Sequence, residues 1–236
     1  MGVPLTLTPH AGEPVAAPWT AASTDDLLRL LGATQGATAG RPRIIAVDGR
    51  SAGGKTTLAA RMNAAVPASA IVHTDDVAWN ESFFGWAPLL ASGVLEPLRR
   101  GLAVSFQPPA WPAHGREGAI EVPAGLDLVI VEGVGASQRA LTDLLDAAVW
   151  VQSDAAEAER RGIARDIAQG VNGDEAASVE FWHGWMAQEL PFLADDRPWE
   201  RADVIVCGTP GLVTGVDAAS TGHEVLLVVP TPRDRG

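Results

Sequence analysis

The chain has 236 residues, with 17 lysines and arginines against 29 aspartates and glutamates and a formal charge of −12. That balance argues against a protein that coats nucleic acid, because phosphate backbones need a basic footprint, although a small anion can still be held by a local arginine cluster. A single cysteine, Cys207, excludes an internal disulfide and a multi-cysteine zinc site, and no apolar run is long enough to span a membrane. With no signal-peptide pattern at its start, the sequence leads us to expect a soluble cytoplasmic protein, with no membrane or nucleic-acid partner.

The first forty residues are rich in Pro, Thr, Ala and Gly and carry one amphipathic segment, Thr24 to Leu31, preceded by Ser/Thr cap candidates. Arg43 to Asp48 reads as a buried strand and Thr57 to Met62 as a helix. Between them lies Gly49-Arg50-Ser51-Ala52-Gly53-Gly54-Lys55-Thr56, a full match to G-x-x-x-x-G-K-[ST]. Lys55 is the only lysine in the chain. In such a loop backbone N–H groups turn inward around phosphates, the lysine reaches the β/γ-phosphates and the following hydroxyl ligates Mg²⁺. Strand, glycine loop and helix N-terminus arrive in the order that this function needs.

Further along, Ser69 to Thr74 reads as a second strand ending in Asp75 and Asp76, followed by a helix around residues 86 to 100. Ala103 to Phe106 and Ala119 to Val122 form two short strands around a Pro/Trp-rich connection, and Leu126 to Val131 is a further apolar strand with Glu132 at its carboxyl end. A helix near 137 to 146, a strand at Ala148 to Val151, helices at 154 to 169 and about 174 to 193, and strands at Asp203 to Val206 and Glu224 to Val229 complete the pattern. Strands alternating with helices imply a mostly parallel sheet covered on both faces, with ligands outside the carboxyl ends of the strands.

Three acidic positions fall at such ends and are expected to face the cleft: Asp48, the Asp75–Asp76 pair and Glu132. Glu132, after four apolar residues, suits a carboxylate that binds Mg²⁺ directly or through water, and Asp75 suits one that accepts a proton from an attacking hydroxyl. Turn-forming or capping acids would show the same letters. Arg161 and Arg165 stand at i, i+4 and share a helix face, where two guanidinium groups can clamp a phosphoryl group; solvated ion pairs with Glu157 and Glu159 are the plainer alternative.

Taken together, Asp48 to Thr57, His73 to Asp76, Val129 to Ala136 and Arg161 to Asp166 resemble the uridine kinase and phosphoribulokinase branch of P-loop kinases, especially actinobacterial uridine kinase-like proteins, over roughly residues 43 to 210. The resemblance implies a three-layer α/β P-loop NTPase fold with a mostly parallel five-stranded sheet. It divides the chain into an N-terminal extension (1–40) packing on the core and a kinase domain (41–236) with an acceptor-side insertion at about 77–122 and a lid at about 157–175. It also implies ATP and Mg²⁺ as cofactors and transfer to a small-molecule hydroxyl, by a monomer or homodimer. In that scheme Asp75, Lys55, Arg161 and Arg165 are catalytic. Gly49, Ser51, Ala52, Gly53, Gly54, Lys55, Thr56 and Thr57 hold the nucleotide, and Thr56 and Glu132 hold the metal. The family builds its acceptor site on stretches that correspond here to Val77–Trp79 and Phe106–Trp111. Asp76, Trp79, Phe106, Trp111, His114 and Arg116 are therefore the candidate acceptor residues. The chain departs from the family at Ala110, where an acid is expected, and contains no tyrosine. An ATP-binding regulator or slow ATPase without transfer is the second reading. A GTPase of the usual kind is not, since its Asn-Lys-x-Asp element needs a second lysine.

Overall fold

Four consecutive residues of strand β2 (Arg43–Gly49), Ile44 to Val47, are completely buried, because this strand lies in mid-sheet with helices on both faces. The computed structural model describes residues 7–33, 40–170, 172–213 and 226–231. Around β2 are ordered β3 (Ser69–His73), β6 (Leu128–Glu132), β7 (Ala147–Gln152), β8 (Val204–Cys207), β9 (Leu226–Pro230) and β1 (Thr20–Ala22), in the sequence β1-β9-β8-β7-β2-β6-β3. The strands from β8 to β3 are all parallel. Among the described residues the sheet thus has seven strands where five were expected: five form the parallel core, and β9 and β1 extend one edge antiparallel. The strand expected to begin at Glu224 is seen from Leu226; Glu224 and Val225 lie outside the described residues.

Alternate side chains of β2 serve opposite layers, as the period of a strand requires. Ile45 and Val47 pack with helices α1 (Thr24–Leu30) and α2 (Lys55–Ala65). Ile44 and Ala46 pack with the segment formed by α3 (Thr74–Ala78), α4 (Ala87–Leu90) and α5 (Glu96–Arg99), and with the hairpin of β4 (Val104–Phe106) and β5 (Ile120–Val122). The helix expected over 86–100 is interrupted by a π-helical stretch, Ala91–Leu95, just ahead of Pro97, which has no N–H to continue an α ladder. A short helix α6 (Ala110–Ala113) sits inside the hairpin connection. The segment expected as a helix near 137–146 is a 3₁₀ turn, Arg139–Leu144. Helices α7 (Ala155–Gln169) and α8 (Glu175–Asp196) start at Asp154 and Asp174, whose carboxylates accept the N–H groups of Glu157 and Ala177.

Parallel register brings the functional strand ends level: Glu132 pairs with Val47 on one side and His73 on the other. Asp48 ties these ends together. Its carboxylate is completely buried and accepts from the amides of Gly49 (2.7 Å), Gly135 (2.9 Å) and Ser137 (2.9 Å) and from the Ser137 hydroxyl (2.7 Å). Asp48→Ala leaves those donors buried and unpaired. We expect a loss of about 3 kcal/mol or more, seen as a lower denaturant midpoint at unchanged m-value.

Candidate functional site

The turn from β2 into α2 carries the glycine loop. Gly54 caps α2 at φ +102, a conformation that a side chain resists, so the first amides of α2 open toward the cleft. Lys55 is buried, and its Nζ donates to the carbonyl of Arg50 at 2.9 Å. At the second residue of α2, the Thr56 hydroxyl donates to Glu132 Oε1 at 3.1 Å, and His73 Nδ1 meets Glu132 Oε2 at 2.8 Å. Glu132 is therefore held from both sides, by the start of α2 at Thr56 and by the neighbouring strand end at His73.

Lys55, Thr56 and Glu132 line a cleft of about 820 Å³. Its floor is the loop from Ser51 to Thr57, one side is Asp75, Ala78, Trp79 and Glu132, and the roof is Arg161, Arg165 and Asp166 of α7 with Phe181, Trp182 and Trp185 of α8. Asp75 stands in the first turn of α3 and reaches into the cleft. The cleft walls displace water around its carboxyl and push it above the ordinary aspartate range. Lys55 opposes that shift, and Glu132 reinforces it. A second cavity of about 340 Å³ adjoins the loop on its other side, lined by Gly54, Thr57, Arg61, Arg161, Gly208 and Pro210 among others.

Both arginines are engaged as they stand. Arg161 Nε donates to Glu157 (2.8 Å) and its Nη1 to the carbonyl of Gly208 (2.9 Å), while Arg165 Nε donates to Asp166 (2.9 Å). Their helix approaches α8 closely: any Cβ on Gly162 would fall on the ring of Trp182, so Gly162 sets the distance between roof helices. Of the eight tryptophans, Trp79, Trp182 and Trp185 line the cleft, Trp182 itself being buried, whereas Trp86, Trp111, Trp150 and Trp199 are buried outside it.

The candidate acceptor residues divide. Trp79 lines the cleft; Asp76, Phe106, Trp111, His114 and Arg116 do not line it and instead satisfy one another or the core. Phe106 packs against Gly93 in the π-helical stretch. The Trp111 indole N–H donates to the carbonyl of Asp76 at 2.8 Å, Arg116 pairs with the Asp76 carboxylate at 2.5 Å, and the Arg116 guanidinium lies 3.6 Å from the centroid of the Trp111 ring. His114 meets Trp79 edge-on at 5.9 Å. Asp48, expected to face the cleft, is turned away from it to bind Gly135 and Ser137, because three amides and a hydroxyl converge on it inside the protein.

Two residues of the site escape the sequence patterns. Asp166 of α7 lines the cleft, and Glu189 of α8 is fully buried and bonded to Ser51 and Trp185. The available signal was an acid four residues after Trp185 on an otherwise apolar helix face.

Strand order, register and the glycine loop together define an α/β P-loop fold. Among solved structures, the chain is similar to a "putative fructose transport system kinase" from Silicibacter sp. TM1040, at 21% identity and a TM-score of 0.49, over 77% of this chain and 95% of that one. It is also similar to a "possible uridine kinase" from Bacillus stearothermophilus, at 17% identity and a TM-score of 0.45, over 77% and 96%. No family model matches the sequence, and no curated protein matches it.

The closeness of α7 and α8 is directly testable. Gly162→Ala should overpack that contact, costing about 1–3 kcal/mol and lowering the calorimetric unfolding midpoint. Trp182→Leu in the same chain should recover part of the loss in a double-mutant cycle.

Proposed function

We propose that the protein is an ATP-dependent small-molecule kinase that transfers the γ-phosphoryl group to a hydroxyl of a nucleoside or nucleoside-like metabolite. The observation that carries this reading is the single cleft in which the glycine loop, Asp75, Glu132 and the Arg161–Arg165 pair converge. The loop amides and Lys55 would bind the phosphates, with the base toward the smaller cavity beside Gly208 and Pro210. The donor set fits Mg²⁺: a hydroxyl and a carboxylate 3.1 Å apart suit an ion that keeps waters and substrate phosphates as its other ligands. When bound, Mg²⁺ would offset charge on the β- and γ-phosphates.

Asp75 is the group placed to take the acceptor's proton as its oxygen attacks the γ-phosphorus and the bond to ADP breaks. Its raised affinity for a proton makes it a better base than a free aspartate. Arg161 and Arg165 would exchange their present partners for the transferring group, whose charge they would stabilise in a cleft partly closed to water. On the acceptor side, rings of Trp79, Phe181 and Trp185 offer faces for stacking on a planar group.

ADP release from ATP·Mg²⁺ across a panel of nucleosides, sugars and other hydroxylated metabolites tests the proposal. An acceptor-stimulated rate should appear in the wild type and fall by about 10²–10⁴ in Asp75→Asn, with ATP binding retained. Arg161→Ala should lose about 10²–10³ in kcat. As pH falls, turnover should drop when Asp75 takes up its proton, at a pH above the free-aspartate value of about 3.9, since its shift is upward. ATP binding without any acceptor-stimulated turnover, equal in wild type and Asp75→Asn, would favour the regulatory reading.

A further inference from the structure

A buried carboxylate that the proposed reaction leaves unused touches the glycine loop at its third residue. Glu189 is fully buried. The Ser51 N–H faces its two oxygens at 3.2 and 3.3 Å, and the Ser51 hydroxyl donates to Oε2 at 2.6 Å. Trp185 Nε1 donates both to that oxygen (2.8 Å) and to Ser51 Oγ (2.7 Å). The other end of the same peptide unit, the Arg50 carbonyl, accepts from Lys55 Nζ at 2.9 Å and from the Gly53 amide at 3.0 Å. The Arg50–Ser51 peptide thus lies between a carboxylate at its N–H and an ammonium at its carbonyl. Each bond polarises the peptide in the sense that strengthens the other. Rotating the peptide breaks both at once.

The side chain of Arg50 is held as well. Its Nε donates to buried Glu13 at 2.9 Å, and Glu13 also accepts from Trp150 (2.6 Å) and Gln152 (2.9 Å). The backbone between residues 50 and 51 therefore has few ways to relax.

We propose that Glu189 is a positioning residue for Lys55, acting through the Arg50–Ser51 peptide, and that it keeps the ammonium seated at the mouth of the phosphate site. The role presupposes that this loop binds nucleotide phosphates, the reading given above. Charge matters here: Glu189 faces only donors, from Ser51 and Trp185. A glutamine would present its own N–H₂ to one of them. An acid that merely anchored α8 would affect stability and leave the lysine's surroundings as they were.

Because Lys55 is the only lysine, protein grown with ¹³C,¹⁵N-lysine reports on this one side chain by NMR. In nucleotide-free Glu189→Gln the Lys55 signals should move away from their wild-type positions. Calorimetric affinity for ADP should fall about tenfold, the order of one hydrogen bond to a charged group. Ser51→Ala removes the hydroxyl bond from a partly exposed loop position and should move the Lys55 signals in the same direction by less; it decides the matter if Glu189→Gln does not fold. Lysine signals that superimpose on wild type in a folded variant overturn the proposal, as does weakened ADP binding with unmoved lysine signals. A wild type that binds no ADP overturns the nucleotide reading, and the lysine comparison still stands by itself.

Discussion

A glycine loop of the kind that joins β2 to α2 has few side chains to brace it, so its backbone must be held in shape by the rest of the chain. Here that work falls to buried charge. Asp48 pins the strand end just before the loop to Gly135 and Ser137, Glu13 takes the side chain of Arg50, and Glu189 takes the N–H and hydroxyl of Ser51. All three carboxylates are buried and hydrogen-bonded to several donors each, the condition under which buried charge is tolerated. They come from the sheet, the N-terminal segment and α8, so the geometry of a few residues depends on parts of the chain far apart in sequence.

This dependence also explains the arrangement of the roof. The same helix that supplies Glu189 supplies Trp182 and Trp185 to the cleft, and it packs on α7, carrier of Arg161 and Arg165, at Gly162. A shift of α8 cannot leave the loop undisturbed, because Trp185 shares Ser51 and Glu189 by two hydrogen bonds. The glycine-loop floor and the arginine-bearing roof are therefore mechanically joined.

What the sequence reveals and what it hides separate along physical lines. The parallel strands were legible because burial on both faces writes them as continuous apolar runs, and the loop because its glycines and lysine are set by backbone geometry. The edge strand β1, three residues long, has no run to detect; its pairing with β9 is a tertiary fact. The placement of Phe106 and Trp111 away from the cleft was equally invisible. It turns on a π-helical widening opposite Phe106 and on an indole N–H that finds the Asp76 carbonyl. Glu189 was hidden for a related reason: an acid on a helix reads as solvent-facing until the fold brings a loop amide to it.

That division bears on how an acceptor would be chosen. Arg116 is committed to Asp76 and the face of Trp111, and Ala110 offers no carboxylate. On the proposed reading, the acceptor would meet mainly Asp75 and aromatic faces. Hydrogen-bonded pockets reject an analogue lacking one hydroxyl far more strongly than apolar pockets do, since buried polar groups are then left unpaired. Apolar ring faces such as those of Trp79, Phe181 and Trp185 would lack that sanction on the proposed reading. On that reading, discrimination among hydroxyl compounds would rest on the fit of a planar group against the rings and on bringing its hydroxyl to Asp75, and acceptor choice would be tolerant.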